Sequence, residues 1–172
     1  MTRAVLWDLD STLANTSHRQ HMVPLIKAKA GPTWEDYSMA CTGDTPVEGT
    51  VALARLIASL TVPVSDGLTM QVSSNRVMQY GVSGRSEAAR QLTLDWFAEH
   101  GVPLDNVYLR PDGDHTPNGK YKVRVIRRLR DKGIDVVLFV EDWKETADYI
   151  HDKTGVPVLV VQGDYAIGDA DI

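Results

Sequence analysis

The chain has almost no cysteine. Cys41 stands alone among 172 residues, so no intramolecular disulfide can form. It has no neighbouring metal-ligand pattern and reads as a small apolar packing residue. Long apolar runs are missing too. The first, Ala4 to Trp7, is four residues long and ends in acid, which is no signal peptide. No stretch approaches the ~20 apolar residues of a membrane-spanning helix, and the expected location is the cytoplasm. Positive charge is not in excess: 18 basic residues against 23 acidic ones give −5, which excludes a generic nucleic-acid binder. A Gly-x-x-x-x-Gly-Lys-Ser/Thr segment is absent, so no P-loop kinase chemistry is expected. Internal repeats and low-complexity tracts are also absent.

What remains is globular. With 43% hydrophobic and 24% charged residues, the chain is long enough for one domain with a real core. Apolar segments alternate in kind along it. Strand patterns occupy 5–7, 77–82, 107–109, 134–140 and 156–161. Helical patterns occupy about 17–30, 34–41, 47–60, 86–100, 120–132 and 144–153, with Gly101 and Gly133 as stops. Segment 61–76 is punctuated by Pro63, Gly67 and Ser73-Ser74-Asn75 and reads as a hairpin or a long loop. Apolar strands alternating with helices predict an α/β fold, a Rossmann-like parallel sheet covered on both faces. Ligands of such sheets bind beyond the C-terminal strand ends. Segment 14–76 is expected to add a small helical cap or insertion to a single domain.

Polar chemistry falls at those ends. Asp8 and Asp10 follow the first strand two residues apart, so both carboxylates project the same way. Such a pair repels unless a cation or proton intervenes. Its tasks are to bind a hard divalent cation, attack an electrophile or donate a proton. The alternative is a capped turn with two surface carboxylates. Ser83 closes the second long strand, and Glu141-Asp142 closes the fourth.

Asp8-Leu9-Asp10-Ser11-Thr12 resembles motif I of the haloacid dehalogenase superfamily, strand-Asp-x-Asp-x-Thr. The resemblance implies that Asp8 is the nucleophile and Asp10 the general acid/base, with Thr12 at the substrate. Ser83-Gly84-Arg85 resembles motif II. There Ser83 hydrogen-bonds a phosphoryl oxygen, Gly84 admits the backbone to the phosphate and Arg85 offers a bidentate fork. Motif III is a lysine at a helix start; Lys122 is preferred over Lys120. Motif IV is Glu141-Asp142, where the family more often has Asp-Asp. Asp142 would ligate Mg²⁺ together with Asp8 and the backbone carbonyl of Asp10, and Glu141 would act from behind it or through water.

The second half, through Trp96-Phe97, Gly101-Val102-Pro103, Leu109-Arg110-Pro111, Gly113-Asp114 and Lys122, resembles the phosphatase domain of phage-type polynucleotide kinase-phosphatases. The implied activity is Mg²⁺-dependent removal of 3′-phosphates from polynucleotide ends. A 5′-nucleotidase acting on monomers is the alternative, and a phosphoacceptor or inactive nucleotide-binding module is the non-enzymatic one. Arg110 either meets the substrate or is an exposed loop arginine. Helix 120–132 carries seven of the 18 basic residues, either a phosphate track or a solvated face. His18, Arg19 and His21 either line the pocket entrance or are polar helix residues. Trp34 and Tyr37 either pack or stack on a base.

Overall fold

The computed structural model describes residues 2–60, 63–64, 73–74 and 76–162. Five strands form the central sheet: β1 (Thr2–Trp7), β6 (Met78–Ser86), β7 (Asn106–Arg110), β8 (Ile134–Glu141) and β9 (Val158–Val160). Their order is β7-β6-β1-β8-β9, and every pair is parallel. Two short antiparallel ribbons complete the set. One joins β2 (Ala14–Asn15) to β3 (Thr45–Pro46), the other β4 (Pro63–Val64) to β5 (Ser73–Ser74). Of segment 61–76, only those two strands and residue 76 lie within the described residues.

Both faces of the sheet are covered, as continuous apolar strands require. On one face, α5 (Asn118–Asp131) and α6 (Lys144–Thr154) pack Val123, Ile126, Leu129 and Ile150 against Ala4, Leu6, Val82 and Phe139. On the other, α3 (Glu48–Ser59) and α4 (Arg90–Glu99) pack Val51, Ala54, Trp96 and Phe97 against Val5, Trp7 and Val107. Each large apolar side chain buried this way contributes roughly 1.5–3 kcal/mol. Gly101 (φ 59°) and Gly133 (φ 76°) end α4 and α5 in the left-handed region where glycine carries no Cβ penalty.

Two elements differ from the sequence pattern. The expected helix over 17–30 is broken into a 3₁₀ turn, Ser17–Arg19, and α1 (Met22–Lys27). The break turns the Arg19 side chain inward, where it is buried, and Lys29 (φ 54°) leaves helical geometry soon after α1. The second strand runs on to Ser86 rather than stopping at Val82, with an irregularity between Val82 and Ser86 that re-aims Ser83 to Arg85.

The strand order reverses between β1 and β8, which opens a crevice beyond their C-terminal ends. Residues 16–44, with α1 and α2 (Trp34–Met39), leave the body through the β2–β3 ribbon beside that crevice. α2 is closed at its N-terminus by a reciprocal Thr33–Asp36 capping box. In contrast, α3, which also falls within 14–76, belongs to the core layer.

Candidate active site

A tight turn sets the first acids. Leu9 O accepts from Leu13 N and Ala14 N, both at 2.9 Å, while Ser11 adopts φ 64°. Asp8 N donates to Val140 O at 2.9 Å, fastening β1 to β8 at the crevice. Asp8 is thereby held beside the end of β8, where Glu141 and Asp142 emerge. Carboxylate oxygens of Asp8, Glu141 and Asp142 all lie within 4.8 Å of one another.

One cation sits inside this cluster. Lys122 Nζ is 2.9 Å from Asp8 Oδ1 and 2.6 Å from Glu141 Oε2, and its side chain is buried. Burial opposes its charge, but Asp8 and Glu141 outweigh it and raise its pKa. The second oxygen of Glu141 accepts from Trp143 N at 3.2 Å, so this carboxylate is spent on Lys122 and the backbone. Asp142 accepts from Thr12 Oγ1 at 3.0 Å. Burial pushes its carboxyl up to about 6, helped by Glu141 and opposed by Lys122. Asp8 is likewise raised, first by burial and then by Glu141 and Asp142 against the pull of Lys122. One lysine does not balance three crowded carboxylates. Asp8 and Asp142, all oxygen donors, fit a hard divalent cation that would supply the missing charge.

A second network holds Asp10. Its Oδ1 accepts from Arg19 Nη2 at 2.8 Å and from Arg85 Nε at 2.7 Å. Both arginines are shared with Asp44: Arg19 donates through Nε (2.8 Å) and Nη2 (2.6 Å), and Arg85 through Nη2 (2.6 Å). His18 Nε2 lies 2.9 Å from Asp44 Oδ1. Arg19 also donates to Tyr37 O at 2.8 Å, with its guanidinium over the Tyr37 ring at 4.2 Å. Burial works against the Asp10 charge, yet Arg85 and then Arg19 outweigh it and hold Asp10 below the usual carboxylate range. No buried side-chain polar atom among the described residues lacks a partner.

Asp8, Asp10, Ser83, Lys122 and Asp142 converge on one pocket of about 810 Å³, with Trp34 and Trp143 exposed along its wall. No family model and no curated protein matches the chain. Solved structures do. A chain from the Pnkp1/Rnl/Hen1 RNA repair complex is similar over 96% of this chain, with a TM-score of 0.72 and 16% identity. The present chain spans only 44% of that one. A HAD family enzyme from Bacteroides thetaiotaomicron, an aspartate-to-alanine mutant in complex with magnesium and inorganic phosphate, is similar over 98% of both chains (TM-score 0.51, 10% identity). A HAD-superfamily hydrolase from Ehrlichia chaffeensis matches 92% of this chain and 86% of its own (TM-score 0.53, 12% identity). The chain has the haloacid dehalogenase fold.

Within the haloacid dehalogenase fold the expected site residues occupy distinct places. Ser83 is buried at the pocket, and its Oγ accepts from Arg85 N at 3.2 Å. Lys122 is buried at the acids, whereas Lys120 is exposed on the outside of α5. Thr12 is fully buried, and its hydroxyl serves Asp142. Arg85 is buried with its fork taken up by Asp10 and Asp44, so it reaches the site through Asp10. At Gly84 a Cβ would run into Asn118 Oδ1, and the close approach is to the start of α5. Arg110 ties the following loop, donating to Gly84 O at 3.3 Å, Asp114 O at 3.4 Å, Thr116 O and Asn118 Oδ1. No helix among the described residues is long and apolar enough to cross a membrane.

Sequence reasoning passed over Asp44 and gave Arg19 no partner. Arg19 ends one 3₁₀ turn and Asp44 follows another, near the two ends of the 16–44 excursion, where no periodicity signals a contact 25 residues away.

Proposed function

We propose that the protein is a Mg²⁺-dependent phosphomonoesterase that works through an aspartyl-phosphate on Asp8 and removes 3′-phosphates from polynucleotide ends. The observation that carries this reading is the setting of Asp8. Its carboxylate lies at the pocket, 2.9 Å from a buried lysine and beside Asp142, with an independently held Asp10 two residues on.

An Asp8 carboxylate oxygen attacks phosphorus, and the bond from phosphorus to the leaving oxygen breaks as Asp10 gives that oxygen a proton. Water then attacks the phosphorus and Asp10 takes its proton. The bond to Asp8 breaks, and inorganic phosphate leaves. Lys122 and the Ser83 hydroxyl offset charge on the transferring phosphoryl group. Asp8, Asp142 and the Asp10 carbonyl would hold Mg²⁺, which supplies Lewis-acid neutralisation when bound. Arg19 and Arg85 keep Asp10 a carboxylate, the form that activates water. A phosphate dianion beside it pushes its pKa back up, toward the form that protonates the leaving oxygen.

The polynucleotide substrate is supported by the likeness to a chain of an RNA repair complex. A mononucleotide phosphatase is the second reading, favoured by Trp34 on α2, which brings an exposed aromatic face to the pocket wall. Phosphate release from 3′-phosphorylated oligonucleotides and from nucleoside monophosphates, with and without Mg²⁺, decides. Release from neither sinks the phosphatase reading; release from monomers alone selects the second.

A further inference from the structure

The seven basic residues of 120–132 do not form one face. Lys122 is buried at the acids, and Arg130 Nη1 donates to Thr154 O at 2.7 Å. Arg124 pairs with Asp114. Four of the seven, Lys120, Arg127, Arg128 and the paired Arg124, line a groove of about 490 Å³ between α5 and α6 together with Lys153 from α6, with Asp131 as its one carboxylate; Lys132 does not line it. Lys120, Arg127 and Arg128 have no ion-pair or hydrogen-bond partner among the described residues, while Lys153 Nζ lies 5.7 Å from the Tyr149 ring centroid. On a chain of net charge −5, five cations facing one groove is a local reversal of sign.

The groove and the pocket neighbour each other along the same two helices. On α5, Asn118 lines the pocket and Lys120 the groove; on α6, Thr146 lines the pocket and Tyr149 the groove. Both helices follow strands whose C-terminal ends form the site, so both run away from it side by side. The acids of α6, Glu145, Asp148 and Asp152, fall one position off Thr146, Tyr149 and Lys153 and do not line the groove. From Lys120 to Arg128 the helix rises ~12 Å. At ~3.4 Å per nucleotide in a stacked strand, that length covers about three nucleotides.

We propose that this groove carries the backbone phosphates of a single nucleic-acid strand whose 3′ end enters the pocket. The proposal deepens the phosphatase reading and rests on it only for what happens at the pocket end. The test is fluorescence anisotropy of a labelled single-stranded 12-mer without a 3′-phosphate, across a salt series. It compares the parent with the exposed-site variant Lys120→Gln, Arg127→Gln, Arg128→Gln, Lys153→Gln. Binding should weaken roughly tenfold at moderate salt. The slope of log Kd against log salt should flatten by ~2, because about three phosphate contacts at ~0.7 ions each are lost. A variant with Arg127→Lys and Arg128→Lys keeps the charge and should bind like the parent, and p-nitrophenyl phosphate hydrolysis should not change. No binding by the parent, or the same Kd and slope in the fourfold variant, overturns the proposal. Weakened binding with no release of 3′-phosphate by the parent leaves the groove standing and removes the 3′-phosphatase reading. Release with an unchanged kcat/KM on 3′-phosphorylated 12-mers in the fourfold variant does the reverse.

Discussion

Arg19 and Asp44 are joined by two hydrogen bonds, Nε to Oδ1 at 2.8 Å and Nη2 to Oδ2 at 2.6 Å. Asp44 is buried and accepts from Arg85 as well, so one carboxylate aligns both guanidiniums that grip Asp10. A fully buried ion network stabilises little by its existence, but removing one member leaves charges uncompensated.

Asp44→Asn should therefore destabilise the fold by about 3 kcal/mol, a fall in Tm of roughly 6–12 °C for a chain of this size. Its catalytic effect should be selective. Asp10 would be misplaced, so kcat should fall more on an alkyl phosphate than on p-nitrophenyl phosphate, whose leaving group needs little proton assistance. Equal losses on the two substrates would reduce Asp44 to a structural residue.

Asp8→Asn should stop turnover, by roughly 10³-fold or more, without unfolding the protein. The amide keeps the shape and removes a carboxylate whose charge burial already disfavours. Lys122 keeps Glu141 as a partner. Asp10→Asn should be severe on alkyl phosphates and milder on p-nitrophenyl phosphate. Rates within a factor of a few of the parent for Asp8→Asn would take that residue out of the mechanism.

How much of this site was readable depends on how local each signal is. Asp8, Asp10, Ser83 and Glu141-Asp142 were readable because each follows an apolar strand, and a parallel sheet gathers those ends on one rim. Spacing from Gly113-Asp114 favours Lys122 over Lys120, and helical period agrees: 122, 126 and 129 share the buried stripe of α5, and 120, 124, 127 and 131 the outer one. The order β7-β6-β1-β8-β9 has no such signature, since equally apolar strands can neighbour one another in many ways. Arg85 was found and its partner mistaken, because Ser-Gly-Arg at a strand end suggests an anion. The anion that takes it up, Asp44, is 41 residues away on an irregular segment.

Asp142 sets a pH dependence. Its carboxyl titrates near 6 in the folded chain against ~3.9 in an unfolded one. Between those values the folded state holds a proton that the unfolded state has lost, so stability falls as pH rises across that window. The penalty, on the order of 1–3 kcal/mol, is complete above about pH 6 and absent below ~3.9. Asp142→Asn lacks this contribution but keeps an oxygen for Thr12. Without metal, it should melt a few degrees higher than the parent at pH 7.5 and alike near pH 3.5. Mg²⁺ should raise the parent's Tm at pH 7.5 and leave the variant's nearly unmoved. Glu141→Gln should lose less of that Mg²⁺ response, since Glu141 is spent on Lys122. A larger loss at Glu141 would exchange the two roles.

Trp34 tests what the pocket wall recognises. It is 54% exposed on α2, with its ring edge-on to Tyr37 at 5.8 Å between centroids. Tyr37 in turn lies beneath the Arg19 guanidinium, so the indole is braced against the network that holds Asp10. A large exposed aromatic face beside a polar pocket offers a stacking surface for a nucleobase, a contact worth ~1–3 kcal/mol per base. Trp34→Ala should raise KM for nucleotide substrates by roughly 5- to 100-fold with little change in kcat. The KM for p-nitrophenyl phosphate or glycerol phosphate should stay within about twofold. Trp34→Phe should restore most of the loss, because a phenyl ring still stacks. Equal KM changes on base-bearing and base-free substrates would mean that Trp34 only shapes the pocket wall. A change confined to mononucleotides, with 3′-phosphorylated oligonucleotides unaffected, would place the oligonucleotide's terminal base away from α2.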